Sequence, residues 1–478
     1  MFSFEDRLRV AMFGHVGDAL LIPLGVLIAI LVTVHVLLND RDAGSSMGWM
    51  GLAWLSPFAG GLLYALFGVN RVTRRARGLR QDGDLASPRR ASAESPVRHL
   101  APLGRAAARI TGRPLLAGNE AQVLYCGDEA YPAMLSAIAA ARHSVALSSY
   151  ILRDDHAGGA FVDALIAAHR RGVHVRVLID GIGAGYFHSA AFNRLVRNGV
   201  PAGRFMHSPL PWRMPFLNLR THKKILLTDG RIGFTGGMNI GGENVLADHP
   251  RDPVRDTHFH LRGPVVGQLA EAFARDWSFV TSEELAGADW FPAIAEAGGA
   301  NARVITSGPD ADIRKIEFLV LEAIACAHHT LRIKTPYFLP DERLVTALAL
   351  ATLRGVEIDI VLPARSNHFV MDWALHANVL PLLQRGCRIW LTPPPFDHSK
   401  LMVVDDAWSL IGSANWDARS FRLNFEVNVE LYDPGLAACL TGMIDAGKGR
   451  QLTIGDLAER SLPVRLRDAA ARLLLPYL

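Results

Sequence analysis

The chain has 478 residues, half of them hydrophobic, with a mean hydropathy of +0.17, enough to fill two cores and leave apolar residues over. A formal charge of +4 is modest for this length and gives no argument for a nucleic-acid partner. The four cysteines, Cys126, Cys326, Cys387 and Cys439, lack CxxC or any other metal-ligand spacing, which argues against a zinc-type centre.

The surplus apolar residues lie at the N-terminus. Ala19 to Leu38 carries no charged residue and is long enough to cross a hydrocarbon core of about 30 Å. Met47 to Val69 is a second uncharged stretch, interrupted by Pro57 and flanked by Trp49, Trp54 and Tyr64 at interface positions. Residues 1–70 therefore read as a membrane hairpin with spans near 19–38 and 47–69. Two long spans without a basic leader and small-residue cleavage site argue against a removed signal peptide. The loop Asn39-Asp40-Arg41-Asp42 is slightly acidic, whereas Arg71, Arg74, Arg75, Arg77 and Arg80 crowd the exit of the second span. Both termini and the domain that follows are thus expected on the cytoplasmic side of the inner membrane, in a multi-pass protein.

Residues 71–118 form a basic connection: Gln81 to Pro96 reads as a linker, and Val97 to Ile110 either lies on anionic headgroups or docks as an ordinary helix. An internal repeat follows. Ala139 to Tyr150 (AAARHSVALSSY) recurs as Ala325 to Tyr337 (ACAHHTLRIKTPY), and Arg171 to Leu178 (RGVHVRVL) recurs as Arg354 to Val361 (RGVEIDIV). Each copy predicts a helix, a strand, a helix ending at Gly and an alternating strand. Two α/β units, 119–290 and 300–450, related by a pseudo-twofold axis are expected, with Gly181 to Leu219 and Ala364 to Phe396 near the mouth between them. Tyr186, Phe187, Trp212, Phe216 and Trp373 in those segments are set either to contact lipid or to pack in the core. The tail, 451–478, includes Leu462 to Leu478 with Arg465, Arg467 and Arg472 among leucines, a second surface contact or a helix packed on the domain.

The chemistry is carried by a duplicated pattern. His222-x-Lys224 with Asp229 five positions on is repeated as His398-x-Lys400 with Asp405 five positions on, in a chain that holds only six lysines. Each copy continues into a glycine-bearing segment, Gly236-Gly237-Met238-Asn239 and Gly412-Ser413-Ala414-Asn415. On a strand, His and Lys two apart face the same side, so each copy aims both at one point. A neutral imidazole can attack phosphorus and hold a covalent phosphoryl group, and a protonated one can give its proton to the leaving oxygen. The lysines, with Asn239, Ser413 and Asn415 beside them, would stabilise the five-coordinate transition state, so no metal is required. Asp229 and Asp405 read as partners that fix a turn or the lysine rather than as bases. An acidic residue should orient each histidine; the candidates are Asp256 and Glu426, each leading an alternating strand. His249, His258, His260 and His368 are further histidines with positions near the site or in ordinary strands and loops.

The chain resembles the phospholipase D superfamily, whose signature is this duplicated motif, and more narrowly the bacterial membrane-bound cardiolipin synthases. The resemblance rests on Leu217 to Asn239, Arg255 to Pro264 and His398 to Glu426, on Trp49 to Arg75, and on the two Arg-Gly-Val elements. It implies two phospholipase D-type repeats behind a transmembrane helical hairpin, and no cofactor. The implied reaction transfers a phosphatidyl group from one phosphatidylglycerol to another, releasing glycerol. In related enzymes the first motif often supplies the nucleophile, which would make His222 the carrier and His398 the acid and base. Hydrolysis through the same intermediate, or use of phosphatidylethanolamine or another alcohol, is the alternative.

Overall fold

The computed structural model describes residues 4–39, 43–65, 92–207, 219–309 and 312–473, in two compact units divided after Arg75. The arginines between 71 and 80, and Trp212 and Phe216, lie outside the described residues.

In the first unit the helix Phe4–Leu38 contains the first expected span and starts well before it. Leu21–Leu38 is the one stretch among the described residues long and apolar enough to cross a membrane, and its Leu24, Leu27, Leu31 and Leu37 are exposed. The second expected span is divided: a helix Ala43–Leu55 gives way at Ser56 to a short helix Pro57–Leu63. Proline at 57 has no N–H to continue the hydrogen-bond ladder and sits where a new helix begins. The segments fold back on Phe4–Leu38 through His35 Nδ1 and the Tyr64 hydroxyl at 2.6 Å, and through the Trp54 indole donating to Thr33 Oγ1 at 3.1 Å.

The second unit is built on one sheet whose order is a palindrome of the two repeats. The first repeat supplies β1 (Leu116–Tyr125), β2 (Ser144–Ser149), β3 (His174–Asp180), β4 (Ala202–Phe205), β5 (Arg220–Thr221), β6 (Ile225–Thr228), β7 (Ile232–Gly236), β8 (Val254–Arg255) and β9 (Thr257–Arg262). The second supplies β10 (Ala300–Ser307), β11 (Thr330–Lys334), β12 (Phe338–Leu339), β13 (Glu357–Pro363), β14 (Arg388–Thr392), β15 (Phe396–Asp397), β16 (Leu401–Val404), β17 (Trp408–Gly412), β18 (Trp416–Asp417), β19 (Asn424–Tyr432) and β20 (Arg450–Leu452). From the centre outward the strands run β1-β9-β7-β6-β2-β3-β4 on one side and β10-β19-β17-β16-β11-β13-β14 on the other, with β20 added at the second edge. Strands β1 and β10 join the halves, antiparallel.

The repeated Arg-Gly-Val elements have a common local cause. Gly172 and Gly355 take φ of +88° and +92°, the left-handed conformation that ends a helix at low cost in glycine. The preceding arginines reach back to the carbonyls that close the previous helix, Arg171 to Ile138 and Ala139 at 3.1 Å each, and Arg354 to Ile324 at 2.8 Å. The parallel strands that follow, His174–Asp180 and Glu357–Pro363, alternate over their first four residues and are buried throughout their second halves, where Val177-Leu178-Ile179 and Val361-Leu362 run as continuous apolar segments.

Of the two readings for Val97 to Ile110, packing prevails. The helix Ala101–Thr111 buries Leu103 and Ala107 in the second repeat's core together with Leu100. The tail also packs: in the helix Leu462–Arg472, Asp468 is buried between Arg460 and Arg467, and Arg467 lies 4.4 Å from the Trp373 ring. Leu462, Leu466 and Leu473 remain exposed on it.

Candidate active site

Each motif histidine stands at the end of a two-residue strand that pairs with the opposite repeat. Arg220–Thr221 pairs parallel to Asn424-Phe425, and the His222 N–H donates to the Phe425 carbonyl at 2.8 Å. Phe396–Asp397 pairs with Val254-Arg255, and the His398 N–H donates to the Arg255 carbonyl at 2.7 Å. The two-residue spacing then separates the lysines by face. Lys224 and Lys400 turn back so that each ammonium donates to the carbonyl of its own motif histidine, at 2.8 Å for Lys224. Lys223, one position off, faces the other way and forms a buried pair with Asp276 at 2.8 Å.

The carboxylates cross between repeats. Glu426, from the second repeat, lies 3.0 Å from His222 Nδ1, which is also 3.1 Å from the Ser413 carbonyl. Asp256, from the first, lies 2.8 Å from His398 Nδ1. Each Nδ1 is therefore held, leaving Nε2 as the reactive nitrogen. Ser413 Oγ donates to Glu426 at 2.5 Å, and the Thr257 N–H donates to Asp256 at 2.7 Å. Burial raises the pKa of both carboxyls, but their lysine and hydrogen-bonding histidine neighbours outweigh it: Lys400 and His398 lower Asp256, and His222 and Lys224 lower Glu426. Both remain ionised.

Burial and the lysines act together on the imidazoles. Desolvation lowers the His222 pKa against the pull of Glu426, with Lys224 and Lys400 adding to the fall. His398 falls to about 4 through burial, then Lys400, with Lys224 of the other repeat contributing. Lys224 falls to about 7 and Lys400 to about 8, chiefly by burial, each feeling the carboxylates of both repeats. The site by itself thus favours neutral imidazoles and weakly held lysine protons. A phosphodiester anion entering between the lysines would raise all four values.

Two asparagine side chains are placed alike in the two repeats. Asn239 Oδ1 and Asn415 Oδ1 are buried and lack a hydrogen-bond partner, at equivalent places in the two repeats. Turning either amide over presents its N–H donors instead, suitable for phosphate oxygens. The glycine preceding each segment is required by the backbone. Gly236 and Gly412 have φ of +154° and +149°, and a Cβ would lie 2.7 Å from the Thr257 carbonyl oxygen or 2.4 Å from that of Val427.

Asp229 and Asp405 face away from the histidines. Asp229 accepts from the backbone N–H groups of Arg142, His143 and Ser144, the last two at 2.7 and 3.0 Å. Asp405 accepts from those of His328, His329 and Thr330 at 2.9, 2.7 and 2.8 Å, and lies 2.8 Å from His99 Nε2. Each ties the turn after the catalytic strand to the loop before its neighbour. Burial raises the Asp405 pKa, but these donors outweigh it and hold the carboxyl below its usual range. Asp405→Ala leaves three backbone donors unmet and is expected to cost about 2–4 kcal/mol. Thermal unfolding checks this as a fall in Tm. Because the folded pKa is depressed, the Asp405 contribution is fully present above the unfolded carboxyl value and lost as pH falls through the folded one. The gap between variant and wild type should therefore narrow in acid; an unchanged gap would count against the ionised carboxylate as its source.

Other site residues carry no motif of their own. Tyr150 meets His222 edge-on at 5.2 Å, with Lys224 Nζ 5.4 Å from its ring, while Tyr337 stands 6.2 Å from His398. Both end the first element of the internal repeat, and that shared place was the available signal. Asp180, at the end of β3, accepts from the N–H groups of Ile182, Gly183 and Thr221, bracing the residue before His222. Of the other histidines, His258 is buried one residue beyond Thr257 and His368 stands 5.8 Å from Tyr337. His260 stacks on Phe234 at 4.8 Å, and His249 closes a turn at φ +48°. Phe187 is 88% exposed, with Tyr186 edge-on to its ring at 4.6 Å.

Both repeats match the family model described as cardiolipin synthase, PLD-like domain, over residues 134–277 and 320–446. The chain belongs to that family. Residues 27–68 match a second model, phospholipase D-nuclease N-terminal. A cardiolipin synthase of Geobacillus thermodenitrificans is 32% identical over 94% of this chain and 92% of its own length. Cardiolipin synthase A of Pseudomonas aeruginosa is 33% identical over 99% of each, and the major cardiolipin synthase ClsA of Bacillus subtilis is 31% identical over 96% of this chain and 99% of its own. In fold, the family member described here resembles a phosphatidylserine synthase from Haemophilus influenzae, with a TM-score of 0.59 at 16% identity, over 79% of this chain and the whole of that one.

Proposed function

We propose that this family member is a cardiolipin synthase, a phosphatidyltransferase that joins two phosphatidylglycerols and releases glycerol. The observation that carries this reading is the crosswise constellation: two imidazoles held at Nδ1 by carboxylates of the opposite repeat, with both buried lysines around the same space. The full-length relatives supply the lipid class.

In the first step Nε2 of one histidine attacks phosphorus and a P–N bond forms. The P–O bond to glycerol breaks, and the leaving oxygen takes a proton from the other imidazolium. In the second step that imidazole, now neutral, removes the proton from a hydroxyl of the acceptor phosphatidylglycerol. Its oxygen attacks phosphorus, the P–N bond breaks and cardiolipin departs. Lys224 and Lys400, with Asn239, Asn415 and Ser413, stabilise the equatorial oxygens in both steps, and Asp256 and Glu426 fix the imidazoles and balance their charge. Asp229 and Asp405 secure the turns that hold the catalytic strands in place. We take His222 as the phosphatidyl carrier and His398 as the acid and base.

The same reading takes residues 1–70 as an inner-membrane hairpin with both ends cytoplasmic, 119–290 and 300–450 as the repeats, and 71–118 and 451–478 as the segments joining and following them. The exposed apolar side of Leu21–Leu38 supports membrane attachment.

The test is product analysis with the purified full chain in phosphatidylglycerol vesicles, by thin-layer chromatography and mass spectrometry. Cardiolipin and glycerol in equal amounts support transfer. Phosphatidic acid alone would make water the acceptor and overturn the synthase assignment.

A further inference from the structure

The exposed apolar residues of the second unit include a matched pair. Strands β3 and β13, which carry the two copies of the Arg-Gly-Val repeat, end at Asp180 and Pro363, and the connection after each brings a phenylalanine to the surface. Phe187 follows β3 and is 88% exposed; Phe369 follows β13, at the start of the helix Phe369–Asn378, and is 63% exposed. The carboxyl ends of parallel strands are where such sheets receive a ligand. Both connections rest on the tyrosines of the site. A Cβ at Gly183 would lie 2.5 Å from the ring of Tyr150, which meets His222, and the hydroxyl of Tyr337, which stands beside His398, lies 2.6 Å from Asn367 Oδ1. Hydrogen bonds brace each one. Arg204 donates to the carbonyls of Gly181, Gly185 and Tyr186, while Asp372 accepts from the Ser366 N–H and the His368 N–H donates to Ser366 Oγ. The two rings thus project into solvent from fixed backbone, which costs free energy unless something apolar receives them.

The same surface continues from Phe369 onto the C-terminal helix. The Phe369 ring lies 4.8 Å from that of Trp373, which in turn carries the Arg467 guanidinium of the helix Leu462–Arg472. That helix has two opposed faces. Asp468 and Ala471 turn inward and are buried, whereas Leu462, Leu466 and Leu473, at helical spacing along one outward stripe, are 61–75% exposed. Arg465 and Arg472 border the stripe, exposed and with no acidic partner among the described residues, and the one acid of the helix is the buried Asp468. Leucines bordered by arginines fit the boundary between acyl chains and headgroups of an anionic bilayer. A second copy of the chain docked through the same stripe would set arginine against arginine.

We propose that Phe187, Phe369 and the leucine stripe form a membrane-docking surface: the two rings and the leucines enter the acyl region of an anionic phospholipid bilayer, and Arg465 and Arg472 meet its headgroups. The inference rests on the reading of the substrate as phosphatidylglycerol, whose phosphodiester lies at that headgroup level. His222 and the lysines of both motifs are buried, so a phosphodiester still held in a bilayer reaches them only if the mouth of the site is set against the membrane. A phenyl ring from each repeat, on a connection that leans on that repeat's tyrosine, seats the mouth from both sides.

Two measurements on the purified full chain test this, and neither reads attachment to vesicles, which the apolar N-terminal helix would supply unaided. First, Phe187→Cys, Phe369→Cys and Leu466→Cys, each combined with Cys439→Ser to remove the exposed native thiol, would carry a fluorophore in phosphatidylglycerol vesicles that contain a lipid with a nitroxide on its acyl chain. Quenching is expected at all three positions. Lack of quenching at any of them overturns the surface, and is the result for a face covered by a second copy or by another protein. Second, the combined variant Phe187→Ser, Phe369→Ser, Leu466→Ser is expected to consume vesicle phosphatidylglycerol about tenfold more slowly than wild type, yet to match it on a short-chain phosphatidylglycerol dispersed as monomers. An unchanged rate on vesicles, or an equal loss on both substrates, overturns the docking role. Quenching and lipid consumption do not depend on the acceptor, so wild-type protein that yields phosphatidic acid alone would overturn the synthase reading and leave these two results to decide the surface.

Discussion

Replacement of either His222 or His398 by alanine is expected to lower cardiolipin formation by about 10⁴-fold or more. One variant lacks the nitrogen that carries the phosphatidyl group, and the other lacks the proton donor for the leaving oxygen. Neither role has a substitute nearby: Asp256 and Glu426 are held on Nδ1 of the histidines, and Asp229 and Asp405 bind backbone N–H groups elsewhere. Because the two imidazoles act in one sequence of steps, the double variant should be little worse than either single one. Lipid product analysis on the three purified proteins checks this. Losses that multiply in the double variant would mean that the histidines contribute independently, contrary to a shared covalent intermediate. Retention of substantial cardiolipin synthesis in either single variant would rule out the two-histidine mechanism.

The second large effect concerns charge of the right shape. Lys224→Arg and Lys400→Arg are each expected to reduce turnover by about 10²–10³-fold although the charge is kept. Each ammonium sits in a buried space where it donates to the carbonyl of its own motif histidine, and a planar guanidinium cannot occupy that position without displacing the strand. The same lysines set an alkaline limit. With pKa values lowered to about 7 and 8, they lose their protons as pH rises through that interval, so kcat/KM of the wild type should fall there, whereas it should be preserved below it until the nucleophilic imidazole of His222 gains a proton. Near-wild-type rates in either arginine variant would argue against direct contact between that lysine and phosphate. A kcat/KM that stays level through pH 9 would argue against the lowered lysine values.

The chemistry was legible early because it depends on side-chain types at short spacing. His-x-Lys on an extended segment puts both groups on one face whatever surrounds it, and its duplication with the glycine-bearing segments marks two halves of one site. The positions of Gly236 and Gly412 are also local, since a positive φ and close backbone approach leave no room for a Cβ. Tyr150 and Tyr337 were within reach too, as the last residues of a visible repeat, yet nothing in their spacing distinguished a ring beside the imidazole from one in the core.

The sequence by itself determined the α/β repeat, the paired histidines and lysines, the two candidate carboxylates and an apolar N-terminal segment, all of which follow from periodicity and residue chemistry along the chain. Only the tertiary structure decided that Glu426 serves His222 and Asp256 serves His398. That exchange arises where β5 and β15 pair with strands of the opposite repeat, and hydrogen bonds between distant segments leave no local periodicity. It also decided that the helix Ala101–Thr111 packs in the second repeat's core, since an Ala/Leu-bearing basic helix has the same pattern on a membrane as on a protein.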